Sequence, residues 1–208
     1  MAEQDLLPGE SRAIVVREES WRTSLPADAW PTGFAAGDSV TRTDVLEMAA
    51  RWRSGEVTSR SFTACALAWG YGTTGYGRWR TRRTLAADPD GRRLQTLLQP
   101  LAAEVVSVEA LCNVYDGFFK RPRLPWLGPA FFTKLIYFAG YRRGVGGVQP
   151  LILDRVVASR LPDDVDVRSF TWQWSCEEWK RYIEWAASRG YNEPDEVEMA
   201  LFSGRAIS

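Results

Sequence analysis

Between Gly128 and Gly140 the chain reads GPAFFTKLIYFAG, a helical pattern with no polar face. Phe131, Phe132, Leu135, Ile136, Tyr137, Phe138 and Ala139 surround a single charge, Lys134. A helix that is apolar all round belongs in the middle of a fold, so the remaining segments have to be built as a shell around it. It is shorter than the roughly 18 apolar residues of a membrane span, as is every other apolar run in the chain. Lys134 then has two options: to snorkel to a wet edge, or to sit in a pocket with its ammonium partly desolvated. Desolvation moves an amine from its usual pKa of about 10.4 toward neutrality, and a free amine attacks electrophilic carbon.

A carboxylate follows on a suitable spacing. Asp154 ends the apolar run Pro150-Leu151-Ile152-Leu153 and precedes a helical stretch, twenty residues after Lys134. As an N-cap it is worth roughly 1 kcal/mol; alternatively it faces a cationic centre, because a helix and a loop let the chain turn back on itself. Absences narrow the chemistry further. The chain has no histidine, which removes Ser-His-Asp and Cys-His catalysis, histidine general bases and histidine-containing zinc sites. Cys65, Cys112 and Cys176 are too scattered for a thiolate zinc cluster or a disulfide framework; no zinc site is expected, and a reducing cytoplasm fits. Lysine occurs only at 120, 134 and 180, the other 23 of the 26 basic residues being arginine.

The pattern predicts an all-α fold, two helical layers with a groove between them. Residues 1–38 alternate short apolar pieces with Pro and Gly and read as an irregular N-terminal arm, with no basic or apolar region of a secretory signal. Residues 39–208 form the helical domain. Helices are expected from a Ser39 or Thr41 cap to Gly55, from Ser59 to Gly70 or Gly72, from Arg92 to Glu104 and from Ser107 to Phe119. Beyond the apolar helix come a short one ending at Arg160, a long amphipathic one near 175–189 and a last one near 194–202. Gly70 to Arg83 (GYGTTGYGRWRTRR) reads as a loop of glycine, aromatic and arginine residues.

The formal net charge of zero is a cancellation. Residues 51–93 hold nine arginines against Glu56, Asp88 and Asp90, and residues 120–160 hold eight basic residues against Asp154 alone. Two basic segments between acidic ends are the footprint of a polyanion binder, unless the charges are merely solvated.

Four pieces together resemble a known family: ALAWGYGTTGYGRWRT (66–81), LPWLGPAFFTKLIYFAG (124–140), QPLILDRVV (149–157) and EPDEVEMALF (193–202). With the helices between them they are similar to the helix-hairpin-helix DNA glycosylases, most closely bacterial proteins of the 8-oxoguanine DNA glycosylase fold. The resemblance implies a monomer acting on double-stranded DNA that contains a damaged or modified base. It also implies an all-α fold with a helix-hairpin-helix element, and no cofactor. Lys134 corresponds to the family's nucleophilic lysine and Asp154 to its aspartate. The hairpin corresponds to the helix ending near Phe119, the turn Leu124–Gly128 and the helix carrying Lys134, with Gly128 at the phosphate-holding turn. Two departures stand out. Trp126 occupies the place of the hairpin's first glycine, with Lys134 six residues past Gly128. Phe138 stands one turn after the lysine, where eukaryotic 8-oxoguanine enzymes carry a cysteine.

The reading is a bifunctional glycosylase and AP lyase excising an oxidised purine such as 8-oxoguanine through a lysine Schiff base. Trp69, Phe138 and Trp172 are candidates for the base pocket. Arg78, Arg80, Arg82, Arg83, Lys120, Arg121 and Arg123 are candidates for DNA contact. The alternatives are a defence enzyme excising a modified base from viral DNA, and a non-catalytic helix-hairpin-helix DNA-binding module in which Lys134 is structural.

Overall fold

The computed structural model describes residues 13–35, 37–104, 106–120 and 122–207. Its helices are α1 (Glu18–Ser24), α2 (Arg42–Arg53), α3 (Ser59–Tyr71), α4 (Tyr76–Ala86), α5 (Arg92–Leu98), α6 (Val108–Phe119), α7 (Pro129–Gly140), α8 (Arg155–Ala158), α9 (Cys176–Ala187) and α10 (Asp195–Ser203). Among the described residues the only strands are β1 (Ile14–Val15) and β2 (Ser39–Val40), an antiparallel pair. The fold is all-α. No described helix is long and apolar enough to cross a membrane.

The apolar segment takes the central place that its composition demands. From Phe132 to Gly140 every residue of α7 is buried, and the helix packs against α2, α3 and α6. Around it the helix starts are set by local chemistry. Thr41 and Asp44 cap α2 reciprocally, as Ser175 and Glu178 cap α9. Thr58 and Ser107 each accept a backbone N–H at the starts of α3 and α6. Each such side chain satisfies a donor that the helix cannot, for about 1 kcal/mol.

Three expectations are corrected. The described part of the segment read as an irregular arm holds β1 and α1, and buries Trp21, Trp30 and Phe34 in the common core. Trp21 and Trp30 stack with ring centroids 6.1 Å apart, and Phe34 meets Trp30 edge-on at 5.4 Å. Short apolar pieces between Pro and Gly carry no period, yet indole burial is large enough to fix them. The loop expected over 70–83 is helical from Tyr76. Gly77 does not break the helix; it lets α4 approach α3, since a Cβ there would lie 2.5 Å from the Tyr71 Cβ. The helix expected over 92–104 stops at Leu98 and tightens into a 3-10 turn, Gln99–Ala102, where Pro100 withholds a backbone donor.

Candidate active site

Lys134 and Asp154 meet. The Lys134 Nζ donates to the Ala130 carbonyl at 3.0 Å and to the Asp154 Oδ2 at 3.1 Å. Their side chains are 9% and 17% exposed, so the lysine does not snorkel into open solvent. A latch one residue earlier on each segment produces the register. The Thr133 hydroxyl donates to the Pro129 carbonyl at 2.7 Å and accepts the Leu153 N–H at 3.2 Å. The Trp179 indole N–H holds the Leu151 carbonyl at 2.9 Å. With Leu153 tied to Thr133, the next residue of each segment is brought face to face.

Both sequence roles of Asp154 are realised geometrically. Its Oδ1 accepts the Val156 and Val157 N–H groups at 3.0 and 3.2 Å, capping α8, while Oδ2 accepts Lys134. Burial alone would raise its pKa, but the Lys134 charge and the α8 N–H groups outweigh it and hold the carboxyl below its ordinary 3.8. Asp154 is therefore an anion at neutral pH.

The pair lines a cavity of about 180 Å³ with Ile14, Arg42, Trp69, Gly70, Ile152, Glu198 and Phe202 among its walls. An apolar cavity of roughly 150 Å³ holds a benzene ring, so an aromatic ring fits here. Arg42, Glu198 and Phe202 carry no catalytic motif in the sequence. Glu198 resembles a residue on a solvated face of α10, but is buried against Arg42 at 2.7 Å. Burial pushes the Glu198 carboxyl up against the pull of Arg42; burial also opposes the Arg42 charge, but Glu198, Tyr137 and Asp195 outweigh it and raise its pKa. The guanidinium also lies over the Trp69 and Tyr137 rings, at 5.4 and 5.0 Å. The available signal was spacing: Glu198 and Phe202, four apart on a helix, share a face.

The other expected site residues separate. Trp69 lines the cavity. Phe138 does not: it is fully buried behind Trp69, edge-on to it at 5.1 Å. Trp172 also lies away from the cavity. It is 62% exposed, under the Arg155 guanidinium at 5.2 Å, and is not part of the cavity wall. Arg78 lines a separate polar cleft with Arg17 and residues 72–75. Arg80 and Arg83 lie over the rings of Trp126 and Trp79, and Arg82 is exposed. Lys120 is exposed at the end of α6, whereas Arg123 folds back, donating to the Phe119 carbonyl at 2.9 Å. Arg121 lies outside the described residues. Gly128 is exposed and extended at the start of α7, its carbonyl accepting the Phe131 and Phe132 N–H groups at 2.9 Å.

The helix–turn–helix formed by α6 and α7, the buried amine–carboxylate pair and the cavity agree with a comparison against family models. The model described as "Putative 8-oxoguanine DNA glycosylase OGG-like protein" matches residues 9–202. No curated protein and no solved structure matches the chain. The family match covers nearly the whole molecule, from the segment before β1 to the last helix, and the chain belongs to the 8-oxoguanine DNA glycosylase OGG-like family.

Proposed function

We propose that the protein is a bifunctional DNA glycosylase and AP lyase, with Lys134 as nucleophile and an oxidised purine as the excised base. The observation that carries this reading is the Lys134–Asp154 contact of 3.1 Å in the wall of a ring-sized cavity. The reactive form is the free amine. At rest the ammonium donates two of its three N–H groups to the Ala130 carbonyl and Asp154 Oδ2; release of its third proton to solvent gives that amine, with a lone pair free for attack.

The target nucleotide is extruded into this cavity at a cost of a few kcal/mol. The amine attacks the anomeric carbon while the glycosidic bond breaks, its electron pair leaving with the base, which takes up, by way of solvent, one of the two protons on the now-cationic nitrogen. Asp154 remains an anion throughout and stabilises the positive charge that grows on the sugar. The second nitrogen proton passes to the ring oxygen as its bond to the anomeric carbon opens, giving a Schiff base; β-elimination then removes a proton from the neighbouring sugar carbon, expels the 3′ phosphate and cuts the strand. Arg78, Arg80, Arg82, Arg83 and Lys120 supply backbone contacts that position the DNA without reading its sequence. The test is incubation with duplexes carrying different base lesions in the presence of sodium borohydride. The expected result is a covalent adduct, strongest with an oxidised purine, whose cross-linked peptide maps to Lys134. An adduct on Lys120 or Lys180, or none with any lesion, overturns the reading.

Gly70 provides a second test. A Cβ at this position of α3 would lie 2.9 Å from Cδ and 3.4 Å from Cε of Lys134. Gly70→Ala must therefore displace the lysine stem by a few tenths of an ångström, and misplacement of a reacting group by about 1 Å costs on the order of 10²-fold. We expect single-turnover excision to fall by roughly ten-fold or more. Thermal stability should stay within about 1 kcal/mol of wild type, since alanine is the better helix former. Full activity in this variant would show that the lysine stem need not lie where it does.

A further inference from the structure

The face formed by α4 and the turn between α6 and α7 carries two large aromatic side chains that the core does not use. Trp126 is 49% exposed and Trp79 38%. Their rings meet edge to face with centroids 5.1 Å apart. The Arg80 guanidinium lies 5.5 Å from the Trp126 ring centre and the Arg83 guanidinium 4.9 Å from that of Trp79. The Thr84 hydroxyl fastens the turn to α4 by donating to the Pro125 carbonyl at 2.7 Å. Trp126 also holds φ at +63°, a left-handed conformation that glycine adopts freely and a bulky side chain does not. A half-exposed ring offsets little of that cost by burial, and such an outlier on a surface turn points to a use outside the fold.

The chemistry of the patch selects a ligand. Half-exposed indoles beside guanidiniums make a surface on which an unpaired base stacks while its phosphate is held by the cations. Arg82 on α4 and Lys120 just past the end of α6 add exposed positive charge. An intact duplex offers this patch only phosphates, because its base faces are stacked on each other. The position also suits the substrate: along α7, Lys134 lies only about 9 Å beyond Gly128 at 1.5 Å rise per residue, so the patch is within a few nucleotides of the amine. Resting on the reading of the substrate as DNA, we infer that Trp79 and Trp126, with Arg80 and Arg83, form a subsite for an unpaired nucleobase of the strand near the excision site. The turn thus holds nucleic acid through an indole platform at the position where the hairpin lacks its glycine.

The test measures binding of a labelled oligothymidine and a labelled duplex hairpin by fluorescence anisotropy across a salt series, with heparin as competitor. Trp126→Gly removes the ring and relieves the backbone, so it keeps the fold. It should weaken oligothymidine binding roughly ten- to a hundred-fold, the range of one lost stacking contact, and leave duplex affinity and both salt slopes nearly unchanged. Trp126→Phe should restore most of the loss. Arg80→Ala with Arg83→Ala should instead flatten the salt slope by roughly one unit per lost phosphate contact. Wild-type affinity for oligothymidine in the Trp126→Gly variant overturns the inference, as does an equal loss for oligothymidine and duplex. Borohydride trapping of the wild type on an abasic duplex, run in parallel, separates the two ideas: failure there sinks the excision reading and leaves the subsite standing.

Discussion

Lys134→Gln should abolish the borohydride adduct and lower strand cleavage by at least ~10³-fold, the scale on which enzymes lose activity when a covalent nucleophile is removed. The reasoning is geometric. The amine is the only lysine in the wall of the cavity, and its two hydrogen-bond acceptors are fixed by α7 and by the cap of α8. Glutamine keeps the lysine stem to within one atom and keeps a donor, so the pocket and the Asp154 cap survive, but it has no nucleophilic lone pair. Lesion-DNA affinity should therefore stay within a few-fold of wild type. Lys120→Gln and Lys180→Gln, at an exposed helix end and on α9, should retain both adduct and cleavage. Persistent cleavage in Lys134→Gln would leave the lysine with a structural role alone and favour a non-covalent or non-catalytic protein.

Asp154→Asn should lower single-turnover excision by about 10²–10³-fold, the cost of losing one fixed electrostatic stabiliser. Asparagine is as good an N-cap as aspartate, so the bonds to Val156 and Val157 persist in the variant. If capping were the whole role of this residue, the variant would be indistinguishable from wild type in rate. Measuring excision rates and thermal melts on the same protein decides between them. The pH dependence follows from the direction of the shift. Asp154 has a folded pKa below 3.8 because the Lys134 charge and two N–H groups outweigh its burial. Its charge therefore contributes stability that is fully present above about pH 4 and lost as pH falls through the depressed folded value. The stability difference between wild type and Asp154→Asn should stay constant from pH 5 to 8 and shrink only in stronger acid. An acid limb of the rate profile near neutrality must then come from another group.

The legible part of this molecule is the part written in local chemistry. Thr41, Ser107 and Ser175 announce helix starts because their side chains accept backbone N–H groups three residues on. The segment around Lys134 announces its own centrality because no face of it tolerates water. Asp154 could be paired with it because few charges interrupt two apolar runs. Gly77 misled for a physical reason: a glycine that permits close helix packing looks, in one dimension, like a glycine that ends a helix.

Tertiary structure alone decided the rest of the cavity. Ile14, Arg42, Trp69 and Glu198 come from four segments spread over nearly the whole chain, and nothing local distinguishes a buried Arg42–Glu198 pair from two solvated charges. Packing likewise sent Phe138 behind Trp69, although it stands one helical turn after Lys134, and left Trp172 outside. The sequence by itself determined that the helix carrying one amine had to be buried and that Asp154 lay within reach of it, because burial of an apolar helix and capping of the next one are local demands; that the amine is held in the wall and does not snorkel was decided by packing. Which side chains enclose that amine is a long-range outcome: it depends on how α2, α3 and α10 pack around α7, and side-chain direction across such contacts has no signature along the chain.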